Sequence, residues 1–310
     1  MPIVKTDVPM TYSLCRDTIE QLTQTYPVCT SQTLATTAFG REIEALRIGS
    51  GSRTVLFAAA FHANEWITAT VLLQFAQELA RAIMEQEELY GIPGRLFEEN
   101  CQIFLVPMVN PDGVDLVTGG IPKGSVQWCH AQALAENYPD IPFPSGWKAN
   151  LMGVDLNLQY PAGWLQAREI KFSQGFTRPG PRDYVGRAPL NQAESRALAE
   201  FTREVDPTLV LAYHTQGGEI YWQFRGIPVP GARALGEEFA RLSGYTLAQT
   251  PYASSFAGFK DWFIQAFRRP GFTIEAGRGE NPLPLSQFDE IYRDNLGILV
   301  TAATGLPGGV

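Results

Sequence analysis

Four short, strongly apolar segments are the feature of this chain that most constrains its fold. Each has the length of a buried β-strand, and segments with apolar residues at helical spacing lie between them. A strand that is apolar on both faces needs helices on both sides of its sheet, as strands of parallel sheets do. The alternation therefore predicts an α/β fold with a mostly parallel sheet that is covered on both faces. The four segments are 54–61 (TVLFAAAF), 101–109 (CQIFLVPMV), 208–214 (TLVLAYH) and 271–275 (GFTIE).

Two stretches interrupt this alternation. Residues 114–190 and 244–270 are rich in proline and glycine, and the first begins just after the turn signal NPDG at 110–113. Long loops in a compact domain are usually functional, so we expect both stretches to form the rim of a pocket at the carboxyl ends of the strands. Because no repeat or low-complexity linker divides the chain, we expect a single domain over 1–310. The expected helices lie at 11–26, 66–90, 191–205, 233–243 and 286–303.

The net charge limits the partners of this protein. A formal charge of −8 disfavours nucleic acids and anionic membranes, because binding phosphate groups requires a basic surface. No run of about 18 apolar residues is present, so we expect no membrane span. The first residues lack the apolar core of a signal peptide, which indicates a cytoplasmic protein, with attachment to a spore or cell wall as the alternative. The sequence does not define an oligomeric state.

Only three histidines are present, so any chemistry by imidazole or zinc draws on a short list. His62 and Glu65 lie in the segment FHANEW, where an apolar strand ends and a helix begins. At positions i and i+3 their side chains can converge on one metal ion, and zinc accepts both imidazole nitrogen and carboxylate oxygen. The same pair is also typical of a capping histidine followed by a glutamate that the helix dipole stabilises. The HxxE motif by itself leaves both interpretations open.

Two further strand ends carry side chains of the same kind. His214 ends the segment TLVLAYH, and Glu275 ends the segment GFTIE. Each residue alone is compatible with a structural role, as a hydrogen-bonded histidine or as a carboxylate at the solvent edge. In open α/β sheets, however, the binding crevice lies at the carboxyl ends of the strands, and a carboxylate buried there needs a partner. Together with His62 and Glu65, these strand ends predict a metal centre.

The order of these motifs resembles that of the zinc carboxypeptidases, from about residue 12 to the last helix. The resemblance implies a mixed, mostly parallel, roughly eight-stranded twisted sheet with helices on both faces. It also implies one zinc ion per chain, held by His62, Glu65 and His214, with Glu275 as the general base. Two histidines and a glutamate are the zinc ligands known from carboxypeptidase A. The motifs are HxxE at 62–65, NPDG at 110–113, GVDLN at 153–157, and the strand ends at 214 and 275.

Several segments resemble one group within that family more closely, the γ-D-glutamyl-L-diamino acid endopeptidases I of bacilli. The resemblance implies a zinc metallopeptidase whose partner is the peptidoglycan stem peptide. Its substrate bond would join γ-linked D-Glu to the diamino acid, either diaminopimelate or lysine. Members of that group can carry cell-wall-binding LysM repeats ahead of the catalytic domain, and we expect none here. The segments are FHANEWIT, VPMVNPDGVDLVTG, GSVQWCHAQ, PFPSGWKAN, GVDLNLQYPAGW and YHTQGGEIYW.

The chain departs from the carboxypeptidases at one position that contacts substrate. Carboxypeptidases have Asn-Arg after GVDL, and that arginine grips the free C-terminal carboxylate of the substrate through two parallel hydrogen bonds. Here the pair is Asn157 and Leu158, and a leucine offers no donor. The resemblance assigns Asn157 to substrate binding, whereas Leu158 favours an endopeptidase over a carboxypeptidase.

Two other residues receive roles from the resemblance. Lys148 in GWKAN stands where carboxypeptidases place an arginine beside the scissile carbonyl, and an ammonium group can stabilise an oxyanion as a point charge. Tyr252 in TPYASSF matches the family's flexible pocket tyrosine. A solvated loop lysine is the alternative for Lys148, and the nearby Tyr245 is the alternative for Tyr252.

Other functions stay open at this stage. A metallocarboxypeptidase or a deacylase of N-acyl amino acids could use the same zinc site. An inactive module that binds stem peptides is disfavoured, because the three ligands and Glu275 are all present. The chain has no GxSxG elbow and no phosphate-binding loop of the P-loop type, which disfavours a serine hydrolase and a nucleotide hydrolase.

Overall fold

Eight strands form one mixed sheet in the computed structural model, which describes residues 2–305. The strands of the structure are β1 (Cys29–Thr36), β2 (Glu42–Ile48), β3 (Arg53–Ala58), β4 (Glu88–Leu89), β5 (Ile92–Pro93), β6 (Cys101–Val106), β7 (Leu209–His214), β8 (Glu219–Tyr221), β9 (Thr246–Ala248) and β10 (Gly271–Glu275). The order across the sheet is β1-β2-β6-β3-β7-β10-β8-β9, and β4 with β5 forms a separate two-stranded ribbon.

The centre of the sheet consists of the four apolar segments. β6, β3, β7 and β10 are neighbours, and each adjacent pair is parallel. The outer strands add the antiparallel pairs β1–β2, β2–β6 and β10–β8, which make the sheet mixed. The predicted α/β fold with a mostly parallel eight-stranded sheet is therefore confirmed.

Helices cover both faces of the sheet because its strand residues alternate between two cores. Val55 and Phe57 of β3 belong to the core on one face, whereas Leu56 and Ala58 belong to the core on the other. The first core is closed by α1, α2, α3, α8 and α10, and the second by α6, α7 and α9. The helices are α1 (Tyr12–Thr25), α2 (Ile67–Met84), α3 (Gly94–Asn100), α4 (Pro111–Thr118), α5 (Val126–Ala135), α6 (Trp164–Ser173), α7 (Ala193–Val205), α8 (Ala232–Ser243), α9 (Phe259–Phe267) and α10 (Phe288–Thr304).

Three local expectations were wrong. The NPDG segment starts a helix instead of a simple turn, because Asn110 caps α4 by accepting from the Gly113 amide and proline occupies the first helical turn. The two stretches expected as loops hold α5, α6, β9 and α9, so their prolines and glycines punctuate short elements. The helix expected to reach residue 90 ends at Met84, where the chain turns into the small ribbon.

The carboxyl ends of the central strands meet at one edge of the sheet. His214 and Glu275 are directly opposite each other on the parallel strands β7 and β10. Ala58, the last residue of β3, is opposite Ala212, and the chain then continues to His62. The side chains singled out from the sequence therefore lie at the same edge. In the part of the chain that the structure describes, no helix combines the length and apolar character that crossing a bilayer requires.

Candidate metal centre

His62, Glu65 and His214 meet at this edge of the sheet. The Nδ1 atoms of the two histidines lie 3.2 Å apart, and each lies 2.9 Å from one oxygen of the Glu65 carboxylate. The ligand atoms of all three residues lie within 4.8 Å of one another. The structure therefore brings together the three residues that the sequence singled out as metal ligands.

This donor set fits a zinc ion. Two imidazole nitrogens and a carboxylate are a common ligand set of catalytic zinc, which keeps a further position for water or substrate. The His214 ring stacks on Phe61 at 5.1 Å between ring centroids, and its Nδ1 faces Glu65 Oε2 at 2.9 Å. Its Nε2 is buried and has no hydrogen-bond partner among residues 2–305, so within these residues only Nδ1 of this ring is hydrogen-bonded.

A tight connection between β3 and α2 positions His62 and Glu65. Ala60 has a left-handed backbone with φ of 48°, and the residues 63–65 that follow His62 form a single 3₁₀ turn. The hydroxyl of Thr68, in the first turn of α2, accepts from the Ala60 amide at 3.0 Å and donates to the Glu65 carbonyl at 2.7 Å. One buried side chain thus ties both ends of the ligand loop to α2.

Asp155 supports His62 from the opposite side of the ring. Its Oδ1 lies 3.1 Å from His62 Nε2, which leaves Nδ1 facing Glu65 and His214. A carboxylate on the far nitrogen fixes the tautomer and orientation of a metal-binding histidine. Asp155 also accepts from the amides of Asn157 and Asp183, so it is itself held in place. Asp155 was not predicted as a site residue, although it lies in the motif GVDLN.

The charges of this centre are arranged to attract a cation. Burial opposes ionisation of Glu65, but His62 and Lys148 outweigh it and hold the pKa of this carboxyl well below its usual range. Burial also favours a neutral His62 ring, yet the Glu65 and Asp155 carboxylates raise its pKa to about 9. A zinc ion and a proton compete for the same ring nitrogen. The two carboxylates therefore stabilise either positive charge at this position, a bound zinc ion or a proton on the His62 ring.

Glu275 ends β10 and lines the same cleft as the three ligands. Its side chain is half-buried, and burial together with the nearby Glu65 charge raises its pKa to about 8. Within residues 2–305 its carboxylate has no ion pair or hydrogen bond at all. A carboxylate without a partner, beside a metal centre, is able to accept and return a proton.

Lys148 reaches the centre from the long stretch between α5 and α6. Its Nζ lies 2.9 Å from Glu65 Oε1, and its side chain is 18% exposed towards the cleft. Burial lowers the pKa of this ammonium group, but the Glu65 carboxylate outweighs burial and raises it. The side-chain amide of Asn110 donates to the carbonyls of Phe61 and Lys148. The NPDG motif therefore helps to position the segments that carry His62 and Lys148. Lys148 is therefore part of the cleft and not a solvated loop lysine.

The two predicted substrate-binding residues differ in position. Asn157 lines the cleft, where its Oδ1 accepts from the Phe259 amide at 3.0 Å. Tyr252 is 73% exposed and packs edge-on against Phe256, outside the cleft that holds the ligands. The structure therefore brings Asn157 to the cleft wall, whereas Tyr252 lies on an exposed turn whose neighbours Pro251 and Ser254 line the cleft. A substrate role for Tyr252 stays a prediction.

Two ion pairs with buried lysines line the walls of the cleft, and neither was predicted. Lys171 of α6 contacts Asp183 at 2.6 Å, and Lys260 of α9 contacts Asp261 at 2.6 Å. All four side chains line the cleft. Lysine and aspartate are common on solvated helix faces, so no sequence pattern distinguished these pairs. The only signal was the position of Lys260 and Asp261 within the otherwise apolar segment FKDWF.

Comparison with known proteins identifies the family. The chain matches the zinc carboxypeptidase family over residues 15–297. It is 43% identical over 290 residues to γ-D-glutamyl-L-diamino acid endopeptidase 1 of Lysinibacillus sphaericus, with 93% of this chain and 71% of that protein covered. The chain therefore belongs to the zinc carboxypeptidase family, as the order of its motifs predicted, and is a hydrolase of peptide bonds.

Solved structures show the same fold. Thrombin-activatable fibrinolysis inhibitor superposes with a TM-score of 0.75 at 16% identity, covering 100% of this chain and 78% of that chain. Carboxypeptidase A of Helicoverpa armigera gives a TM-score of 0.71 at 18% identity, covering 97% of this chain and 75% of that chain. At such identities the likeness concerns the fold alone.

Proposed function

We propose that this enzyme hydrolyses the bond between γ-linked D-Glu and the diamino acid of peptidoglycan stem peptides. The Lysinibacillus sphaericus relative is named for this bond, and its match covers most of both chains. The structural observation that carries the proposal is Leu158. This side chain is 8% exposed and lines the cleft where carboxypeptidases have an arginine. The grip on a free C-terminal carboxylate is absent at that position, which suits an endopeptidase.

His62, Glu65 and His214 would hold one zinc ion per chain. A zinc ion there would supply Lewis acidity, which lowers the pKa of water and polarises the scissile carbonyl. Asp155 would keep the Nδ1 atom of His62 available by holding its Nε2 at 3.1 Å. The convergence of their ligand atoms within 4.8 Å of one another supports this assignment.

Glu275 would act as the general base and then as the general acid. Its half-buried carboxylate would take a proton from the attacking water and return it to the amine that leaves. Lys148 would place its ammonium charge near the carbonyl oxygen and stabilise the negative charge that develops there. Its contact with Glu65 Oε1 at 2.9 Å positions the ammonium group beside the metal ligands. Asn157 would orient the substrate from the cleft wall.

The proposal is tested with two forms of one stem peptide. In the first, the diamino acid that follows γ-D-Glu is the C-terminal residue and its main-chain α-carboxylate is free. In the second, that α-carboxylate is an amide. Because Leu158 cannot bind a carboxylate, we expect kcat/KM for the two forms to agree within about tenfold. A carboxypeptidase that depends on a bidentate contact with this carboxylate would lose about 10⁴-fold in kcat/KM on the amidated form, because its buried donors would be left without a partner. That loss would contradict the endopeptidase proposal.

A second comparison separates the proposal from its rivals. A panel of N-acyl amino acids without the γ-D-glutamyl group should be turned over far more slowly than the stem peptide. Faster hydrolysis of the panel would assign the enzyme to the deacylases. Binding of the stem peptide without turnover by the zinc-loaded protein would assign it to the inactive modules.

A further inference from the structure

One wall of the cleft carries two cations that share a single carboxylate. Lys171 Nζ lies 2.6 Å from Asp183 Oδ1, and Arg182 Nε lies 2.6 Å from Asp183 Oδ2. All three residues line the same cleft as the metal ligands. Together the three side chains carry a net positive charge, and the proposed reaction does not use it.

Arg182 has hydrogen-bond donors left for a ligand. A guanidinium group has five N–H donors, and only the Nε donor of Arg182 is hydrogen-bonded among residues 2–305. Its side chain is 39% exposed, whereas that of Lys171 is 10% exposed and contacts Asp183 directly. The two terminal nitrogens of a guanidinium form a planar fork that matches the two oxygens of a carboxylate. Arg182 is therefore the member of this cluster that can bind an anion in the cleft.

Backbone hydrogen bonds hold the segment that carries Arg182 beside the proposed catalytic groups. The carbonyl of Pro181 accepts from the Lys148 amide at 2.7 Å. On the other side of Arg182, the Asp183 amide donates to Asp155 Oδ2 at 3.3 Å. Arg182 is thus fixed in the wall between the lysine expected to stabilise the oxyanion and the carboxylate that supports a metal ligand.

A different wall of the cleft serves the residue that leaves. Asn157 Oδ1 accepts from the Phe259 amide, which joins Asn157 to α9. Its neighbour Leu158 stands where carboxypeptidases bind the carboxylate of the departing residue. The diamino acid of the proposed substrate belongs on that side of the scissile bond. The other half of the substrate, which contains D-Glu, then extends along the wall of Lys148 and Arg182.

We propose that Arg182 binds the free α-carboxylate of γ-linked D-Glu and selects against stem peptides in which this group is amidated. This inference rests on the proposed function. When D-Glu is linked through its γ-carboxyl group, its α-carboxylate lies four carbon–carbon bonds from the scissile carbonyl carbon, roughly 5 Å in extended form. The substrate therefore presents a carboxylate close to the reacting bond, on the side of the cleft where Arg182 offers its unused donors.

The selectivity is measured with two peptides that differ only at this group. They are L-Ala-γ-D-Glu-diaminopimelate and the same peptide with a carboxamide in place of the D-Glu α-carboxylate. We expect the zinc-loaded wild-type enzyme to prefer the carboxylate form by about 10–100-fold in kcat/KM. The carboxamide has no charge, and its NH₂ group would face the donors of Arg182.

Arg182→Met removes the fork and keeps an apolar side chain of similar reach. Asp183 keeps Lys171 as its partner in this variant, so no carboxylate of the cluster is left unpaired. We expect the preference for the carboxylate form to fall below about threefold, chiefly through slower hydrolysis of that form. A ratio within one preparation does not depend on the fraction of folded enzyme, so partial misfolding cannot imitate this result.

Arg178→Met is the matched control. Arg178 is an exposed arginine a few residues earlier in the chain, and it donates to Asn137 Oδ1 at 3.2 Å without lining the cleft. Its loss changes the net charge of the protein by the same amount. The ratio of the two kcat/KM values should stay within about twofold of the wild-type ratio.

Each other outcome counts against the inference. A wild-type enzyme that cleaves both peptides equally well would overturn it directly. Equal losses on both peptides in Arg182→Met, including complete loss, would show that Arg182 only holds its segment in place. A preference that survives in Arg182→Met but disappears in Lys171→Met would assign the carboxylate to Lys171 instead. A wild-type enzyme that cleaves neither peptide would refute the proposed function itself, and this is established before any variant is compared.

Discussion

At the scale of single residues, the three carboxylates of the centre differ in whether they have ion-pair or hydrogen-bond partners. Glu65 contacts His62, His214 and Lys148. Asp155 is equally engaged, because it contacts the His62 ring and accepts from backbone amides. The Glu275 carboxylate has neither an ion pair nor a hydrogen bond among the described residues, and its pKa is raised to about 8 by burial and by Glu65. The unpartnered carboxylate is the one suited to move a proton.

Replacement of Glu275 by glutamine tests that assignment. The variant keeps the shape of the side chain but cannot accept a proton, so kcat should fall by about 10²–10⁴-fold. Bound zinc, measured by atomic absorption, should stay at one per chain, because Glu275 is not among the three converging ligands. Activity close to that of the wild type would remove Glu275 from the mechanism.

Asp155→Asn tests the residue that the sequence analysis missed. The amide cannot offer His62 Nε2 a charged acceptor, so the ring loses its preferred tautomer and orientation. Loss of such a partner typically costs 10–100-fold in metal affinity or activity, and we expect zinc affinity to weaken by about that factor. Competition with a chromogenic chelator measures it. An unchanged zinc affinity would mean that the 3.1 Å contact only packs the loop.

At the scale of elements, the sequence predicted the ends of β7 and β10 correctly, whereas β3 and β6 end at Ala58 and Val106, earlier than the predicted 61 and 109. Residues that terminate buried strands must reach the carboxyl edge of a parallel sheet, whatever the loops do. For this reason His214 and Glu275 lie opposite each other in register, as expected. The HxxE pair was predictable for a similar reason, since a short connection between β3 and α2 leaves little freedom.

Residues on the long connections were less predictable. Asp155, Lys171 and Lys260 reach the cleft only through the path of the chain between strands, and apolar periodicity carries no information about that path. Tyr252 is the opposite case, because the motif predicted a position in the substrate pocket, whereas in the structure its ring packs against Phe256. Asn110 was predicted as a turn residue, but it caps a helix and its side-chain amide donates to three carbonyls beside the centre.

Thr68→Val tests how α2 holds the ligand loop. The variant removes the acceptor for the Ala60 amide and the donor to the Glu65 carbonyl at a buried position. We expect the free energy of unfolding, measured in urea on the metal-free protein, to fall by about 1–3 kcal/mol. Zinc affinity should weaken as well, because the loop carries His62 and Glu65.

Thr70→Val is the matched control for this prediction. Thr70 is also fully buried on α2, but its hydroxyl has no hydrogen-bond partner among residues 2–305. Its replacement should change the unfolding free energy by less than about 1 kcal/mol and leave zinc affinity intact. Equal effects of the two substitutions would show that the Thr68 hydrogen bonds do not secure the loop.

At the scale of the whole molecule, the centre joins segments far apart in the chain. Glu65 contacts His214 across 149 residues, so a metal bound there should stabilise the fold as a whole. At free zinc about 100 times its Kd, the stabilisation should be about 2.7 kcal/mol. Thermal unfolding with zinc or with a chelator should show the corresponding rise in Tm. The rise should persist in Glu275→Gln and disappear in His214→Ala; its persistence in the latter would place the zinc elsewhere.

We expect this family member to cut the γ-D-glutamyl bond with the centre described above. Mass spectrometry of a defined stem peptide, digested by the zinc-loaded enzyme, measures the bond directly. We expect fragments that separate after γ-linked D-Glu, their loss in a chelator, and their return when zinc is added back. We expect no such cut when D-Glu is linked through its α-carboxyl group. Release of single C-terminal residues from ordinary peptides, with the γ-bond left intact, would refute cleavage of the γ-D-glutamyl bond by this centre.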